Sequence, residues 1–214
     1  MPLLQQTSMQ AKGEEDMKDG TFLAKPDETI EEHVKKLLTE LERMKAYGYI
    51  QDDELYNLIK IACIHHDDGK MNPEMQNRLE KAKYGRRVMF NPDKEIPHNV
   101  LSGFFLNPDE FNKFEDPKLA YYWVLFAILY HHDYGNPIEI MEENKDLIVS
   151  LLDGFDVNDI NRPSIRTSIP EMATDLQIAI GNGHQGHIRR PVENIFSGQQ
   201  ILFHGVLDMS LHRI

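Results

Sequence analysis

Apolar side chains recur at helical spacing in several separate stretches of the chain. In the first stretch, Thr29 and Glu32 form a capping box ahead of apolar residues that recur every three or four positions. A second stretch begins at Asp52 or Asp53, which are both good N-cap residues, and runs toward Gly69, a residue type that often ends helices. Both patterns predict amphipathic helices.

Further helices are predicted along the rest of the chain. They cover the NPEMQNRL stretch, residues 98–106, a helix starting at Asp116-Pro117, residues 137–153 and residues 194–211. Residues 119–130 are apolar on every side, which predicts a central, fully buried helix. Residues 154–192 are rich in Gly, Pro, Asn and Ser and predict a long loop region with a short helix. No stretch alternates convincingly between apolar and polar positions, so the expected fold class is all-α.

Length and composition indicate one domain. The chain has 214 residues and 41% hydrophobic residues, enough for one well-filled core. We expect residues 1–20 to be a flexible tail and residues 21–214 to form the domain. The start of the chain has no basic and apolar signal segment, the longest apolar run is shorter than the ~20 residues that span a bilayer, and Cys63 is the only cysteine. A cytoplasmic protein without a membrane partner is therefore predicted.

Seven histidines and acids lie on, or at the ends of, the predicted apolar helix faces. They are His33, His66, Asp67, His98, His131, His132 and Asp208. Burying so many ionisable groups without partners would be costly, and a shared metal site removes that cost. Imidazole nitrogens and carboxylate oxygens bind Fe, Mn, Zn, Ni or Co, so the expected cofactor is one or two divalent ions from that set, or Mg. Seven ligands suit two metals, with Asp67 as a candidate bridge.

Four motifs make the pattern more specific. LAKPDETIEEH, HHDDGKMNPEMQNRL, IPHNVLSGFF and LYHHD follow one another between about Phe22 and His132. They resemble successive motifs of the HD nuclease that accompanies the helicase of type I CRISPR systems. The HD superfamily in general shares one His, the HD pair and a late Asp. The additional His98 and the HH pair are similar to its two-metal nuclease branch, which implies a helical bundle of that superfamily.

The resemblance implies a role for each matching residue. His33, His66, Asp67 and Asp208 would hold one metal, and His98, His131 and His132 the second, with Asp67 shared. Lys70 would contact the scissile phosphate, so Asp67 and Lys70 are the candidate catalytic residues. The family cleaves single-stranded DNA that a superfamily-2 helicase unwinds after a crRNA-guided effector complex opens an R-loop. The implied partners are therefore single-stranded DNA, the helicase and the effector complex.

The chain departs from the family pattern near its end. Gly205 lies only three residues before Asp208, whereas the family usually has a Gly-Leu-Leu stretch several residues before its last Asp. The sequence also stops six residues after Asp208 with no helicase, which predicts a stand-alone nuclease subunit or an excised domain.

Other interpretations remain open for several residues. Each candidate ligand could instead be a packed or helix-terminal residue, Asp208 a solvated carboxylate and Lys70 a solvent-exposed lysine. His65 is predicted to pack or support the ligands, Asp68 to lie at the surface or behind the ligands, and Ser102 to have no role. His184 and His187 could form an accessory metal site, although a mobile polar loop is the favoured interpretation. The basic KAKYGRR stretch could guide a DNA strand or be a solvated loop.

The net charge of −12 leaves the substrate open between two classes. A free-standing nucleic-acid binder usually carries a basic surface, so the charge favours a small phosphorylated substrate or a nuclease that depends on a helper. The alternatives to the nuclease are an HD phosphohydrolase acting on a dNTP or cyclic nucleotide, and a non-catalytic binding module with a degenerate site.

Overall fold

The computed structural model of the chain describes residues 22–132 and 135–153. These residues are mainly helical, as predicted. The elements are β1 (Leu23–Lys25), β2 (Glu28–Thr29), α1 (Ile30–Ala46), α2 (Asp53–His65), a 3-10 helix (Asp68–Met71), α3 (Pro73–Lys83), α4 (His98–Gly103), a second 3-10 helix (Pro108–Phe111), α5 (Pro117–Leu129), α6 (Pro137–Glu143) and α7 (Lys145–Asp153). The predicted tail, the predicted loop region 154–192 and helix 194–211, and Asp208 with them, lie outside the described residues.

The capping residues begin the helices where the sequence predicts. The Thr29 hydroxyl accepts a hydrogen bond from the Glu32 amide at 3.1 Å, and the Glu32 carboxylate accepts one from the Thr29 amide at 3.0 Å. Asp52 caps α2, and Asp116 caps α5 through the Leu119 amide. These bonds satisfy amides that have no partner within their helices, so local sequence defines the helix starts.

Three boundaries differ from the prediction. Helix α2 ends at His65, and Gly69 lies instead within the following 3-10 helix. Helix α4 ends at Gly103 rather than at residue 106. Residues 137–153 form two helices, because the backbone leaves the helical conformation at Asn144.

The structure also contains a short antiparallel sheet that the sequence pattern did not predict. Strands β1 and β2 have three and two residues, and Leu23 pairs with Thr29. Strands this short cannot display the alternation of apolar and polar positions by which a strand is recognised in sequence. The hairpin leads directly into α1 and contacts α3, so it closes one side of the helical assembly.

Helix α5 is the central packing element. It contacts both α2 and α4, and no residue from 119 to 130 is exposed, although several are only half-buried. Its Leu125, Ile128 and Leu129 belong to the main apolar cluster. A second cluster joins α1 to α2 through Leu37, Leu41, Ile59 and Cys63. No helix in the described part of the chain has both the length and the apolar character needed to cross a membrane.

Gly69 allows α4 to pack directly against the turn that follows α2. A Cβ atom built on Gly69 would overlap the carbonyl oxygen of His98 and would lie 2.8 Å from both Leu101 Cβ and the Ser102 amide nitrogen. Two of those neighbours are backbone atoms, which cannot rotate away. The close approach places the first residue of α4, His98, beside the turn that carries His66 and Asp67.

Candidate metal centre

Six of the seven predicted ligands come together at one place in the structure. His33 comes from α1, His66 and Asp67 from the turn after α2, His98 from the start of α4, and His131 and His132 from the end of α5. They form two groups, His33 with His66 and Asp67, and His98 with His131 and His132. Within each group the ligand atoms lie within 4.8 Å of one another. Asp208, His184 and His187 lie outside the described residues, and their predicted roles stay predictions.

Asp67 lies at the junction of the two groups. Its Oδ2 atom is 3.4 Å from His66 Nε2 and 3.7 Å from His33 Nε2, whereas its Oδ1 atom is 3.2 Å from His98 Nε2. The residue is 1% exposed, and Oδ1 accepts no hydrogen bond of good geometry from the described residues. A buried carboxylate oxygen without a donor is unfavourable, and a cation between Asp67 and the imidazoles would satisfy it.

Two of the histidine rings are oriented by backbone carbonyls. His66 Nδ1 lies 2.9 Å from the Cys63 oxygen, and His131 Nδ1 lies 2.6 Å from the Ile128 oxygen. A carbonyl can only accept, so each Nδ1 carries a proton, and in the neutral ring the Nε2 lone pair faces the centre. His98 Nε2 is 3.2 Å from His131 Nε2. Histidines that bind metals are typically oriented in this way by a bond at the other ring nitrogen.

Burial keeps several of these rings neutral. Loss of solvent lowers the pKa of His33 to about 4 and that of His98 to about 4, and it holds the pKa of His131 well below the usual value. Burial raises the pKa of Asp67, but the combined effect of His66, Lys70 and His98 is larger and in the opposite direction. The pKa of Asp67 therefore lies well below its usual value. Neutral imidazole and ionised carboxylate are the forms that bind a metal ion.

Glu28 contacts the Nδ1 side of the His33 ring, and the sequence pattern does not identify it as a residue of the site. Its Oε2 atom lies 3.5 Å from His33 Nδ1, and the side chain is buried. Lys36 and Lys25 hold the carboxylate at 2.8 and 3.1 Å, and although burial raises the pKa of Glu28, these two bonds leave it lowered. Glu28 lies in the unpredicted strand β2, and its sequence neighbours carry no signal for a buried acid.

Ser102, for which the sequence suggested no role, links α4 to the ligand-bearing turn. Its hydroxyl is fully buried and accepts a hydrogen bond from the Gly69 amide at 2.8 Å. The same oxygen lies 2.8 Å from the carbonyl oxygens of His66 and His98, and its single proton can bond either one. Ser102 therefore links α4, which begins at His98, to the turn that carries His66 and Asp67.

We expect Ser102→Ala to lower the free energy of unfolding by about 2 kcal/mol, because the buried Gly69 amide loses its acceptor. Metal affinity should fall by about 10-fold, since bonds behind metal ligands typically contribute that much. Urea unfolding and metal titration measure the two effects. Ser150→Ala, at an exposed position of α7, is the matched control and should change neither. Equal behaviour of the two variants would contradict the role given to Ser102.

Lys70 extends into the centre rather than into solvent. Its Nζ atom lies 2.8 Å from Asp67 Oδ2 and 3.2 Å from the carbonyl oxygen of Ala24, and only 11% of the side chain is exposed. The interpretation of Lys70 as a solvent-exposed lysine is therefore wrong. The ammonium group stands beside the carboxylate that joins the two ligand groups.

His65 and Asp68 pair with each other rather than with one of the predicted ligands. His65 Nδ1 is 2.7 Å from Asp68 Oδ2, and its Nε2 is 3.4 Å from Glu110 Oε2. Burial lowers the pKa of His65, but the two carboxylates leave it raised; burial also raises the pKa of Asp68. Asp68 is buried, so its predicted surface position is wrong, and its hydrogen bond goes to His65 rather than to one of the predicted ligands.

The two groups of described residues could hold a metal ion. No family model, no curated protein and no solved structure matches this chain.

Proposed function

We propose that this chain is a metal-dependent nuclease of the HD type that hydrolyses phosphodiester bonds of single-stranded DNA. The position of Asp67 is the observation that carries the proposal, because its two oxygens face different histidine groups. A carboxylate in that position suits a bridge between two cations. The order of the four CRISPR-like motifs along the sequence supports the same function and a helical bundle of the HD superfamily. It also supports a superfamily-2 helicase and a crRNA-guided effector complex as partners, and the cytoplasm as the place of action.

Asp67 and the two histidine groups would hold divalent cations, which would supply activation of water and neutralisation of charge on the attacking and leaving oxygens of a phosphodiester. The imidazoles that would hold the cations lie on helices or next to helix ends, which fixes their positions. Lys70 lies 2.8 Å from Asp67, so a phosphate bound next to Asp67 would lie within reach of its ammonium group. Charge that develops on the phosphate oxygens would be stabilised there. No side-chain nucleophile is required.

Cleavage of circular single-stranded DNA tests the proposal, because a circle can be opened only by internal cutting. The chain is incubated with Mn²⁺, Ni²⁺ or Co²⁺, and EDTA serves as the metal-free control. Degradation with at least one ion is the expected result. Turnover of dNTPs or cyclic nucleotides with DNA left intact would select the nucleotide phosphohydrolase instead. Metal binding without turnover of any of these substrates would select the non-catalytic module.

Replacing Lys70 by methionine should slow cleavage by about 100-fold and leave the number of bound metal ions unchanged, because Lys70 acts on the phosphate and is not a ligand. The turnover rate and elemental analysis of the same preparation separate the two effects. Lys35→Met, on the exposed face of α1, is the matched control and should cleave like the parent protein. Full activity in Lys70→Met would remove Lys70 from the reaction.

A further inference from the structure

Residues 81–90 form an exposed segment that is both basic and aromatic, and they are called the basic-aromatic segment below. The ten residues, KAKYGRRVMF, contain four cations and no acid, in a chain with a net charge of −12. The cations are Lys81, Lys83, Arg86 and Arg87, and all four are exposed. None of them forms an ion pair with another described residue. Their charge is therefore available to an anionic partner.

The same segment exposes large apolar side chains. Tyr84 is 77% exposed, Met89 68% and Phe90 42%, and they are three of the six exposed large apolar residues in the described part of the chain. Aromatic rings beside unpaired cations offer two contacts at once, a face on which a base can stack and a charge for the phosphate that follows it.

The segment is fixed relative to the metal centre at both ends. The first three residues of the segment belong to helix α3, and Gln76 in that helix donates from Nε2 to the Lys70 oxygen at 2.6 Å. At the other end, Phe90 and Glu95 both lie near Arg78 of α3. The Arg78 guanidinium is 5.9 Å from the centre of the Phe90 ring, and Arg78 Nε is 2.8 Å from Oε2 of Glu95, which precedes His98 by three residues. The eleven residues of α3 span about 16 Å, which a strand of several nucleotides can cross.

We propose that the basic-aromatic segment binds single-stranded nucleic acid and leads the strand toward the metal centre. Unpaired bases expose both faces and can stack on Tyr84 and Phe90, whereas the bases of a duplex are already stacked on one another. The delivery of the strand for cutting rests on the proposed nuclease function, but the binding itself does not. The segment also explains how an acidic chain could hold a polyanion, since the cations are gathered at one place.

Binding can be measured without cleavage. The test uses the full chain in EDTA with a fluorescein-labelled oligothymidylate of about 20 nucleotides, and fluorescence anisotropy gives the Kd. The double variant Lys83→Glu/Arg86→Glu reverses two of the four positive charges, and Tyr84→Ala/Phe90→Ala removes two aromatic rings. The matched controls are Lys35→Glu/Lys145→Glu, with the same change in net charge, and Tyr47→Ala/Tyr49→Ala, with the same loss of exposed aromatic rings.

We expect each segment variant to bind at least about 10-fold more weakly than the parent, and the controls to bind like it. The charge variant should also flatten the slope of log K against log salt by about 1.4, since each phosphate contact to a single strand contributes about 0.7. The proposal is overturned if the parent does not bind, if segment variants and controls lose affinity equally, or if the parent binds only anionic lipid vesicles. If only the segment variants lose binding but the parent cleaves no DNA with any metal, the binding surface is supported and the nuclease function is rejected.

Discussion

Asp67→Asn is expected to lower metal-dependent cleavage of single-stranded DNA by about 1,000-fold or more, since metal ions supply several kcal/mol of transition-state stabilisation. The substitution removes the buried negative charge that faces both histidine groups. It also replaces one carboxylate oxygen by an NH2 group, which donates hydrogen bonds and cannot bind a cation. Metal affinity should therefore fall together with activity.

Asp68→Asn is the matched control, because Asp68 is the next residue and is also buried but pairs with His65 rather than with the ligands. That variant should keep its full content of bound metal and most of its activity. Single-turnover cleavage and elemental analysis measure both variants. Unchanged cleavage in Asp67→Asn, or equal losses in the two variants, would contradict the position given to Asp67.

Gly69→Ala is expected to lower the free energy of unfolding by about 3 kcal/mol, because overpacking a close contact typically has a cost of that size. The new methyl group would overlap the His98 carbonyl oxygen and approach Leu101 Cβ and the Ser102 amide to 2.8 Å. Helix α4 would have to move away from the turn, which would carry His98 away from Asp67. Metal affinity should fall even under conditions in which the variant is fully folded.

Gly85→Ala separates this steric effect from the conformational effect of replacing a glycine. Gly85 has a φ of +70° with no atom within 4 Å of the added Cβ, so only about 1–2 kcal/mol of backbone strain is expected. Urea unfolding gives the two free energies, and a metal titration should show a defect only for Gly69→Ala. A smaller loss of stability at Gly69 than at Gly85 would show that α4 does not pack this closely.

The parts of the fold that sequence predicted are those encoded by local signals. The starts of α1, α2 and α5 follow from Thr29, Asp52 and Asp116, whose side chains bond amides within three residues. The candidate ligands could be found for a related reason. Each imidazole lies on or at the end of an apolar face, and a polar group in that position needs a partner.

The remaining features depend on contacts that form only when the chain folds. Glu28 is buried because Lys36, Lys25 and His33 surround it after folding, and no local pattern distinguishes it from an exposed acid. The sequence predicts a helix end at Gly69 because glycine commonly ends helices, whereas the structure shows that the close approach of α4 is what requires glycine there. Ser102 acquires its partners from the same approach, 33 residues along the chain from Gly69.

Anomalous scattering from crystals grown with Mn²⁺ tests the metal centre most directly. The proposed arrangement predicts two peaks about 3.5–4 Å apart, as in two-metal phosphodiesterases, with Asp67 between them. One peak should be bounded by His33 and His66, and the other by His98, His131 and His132. Mn²⁺ bound only elsewhere on the protein, with neither histidine group in contact with a peak, would contradict the central claim.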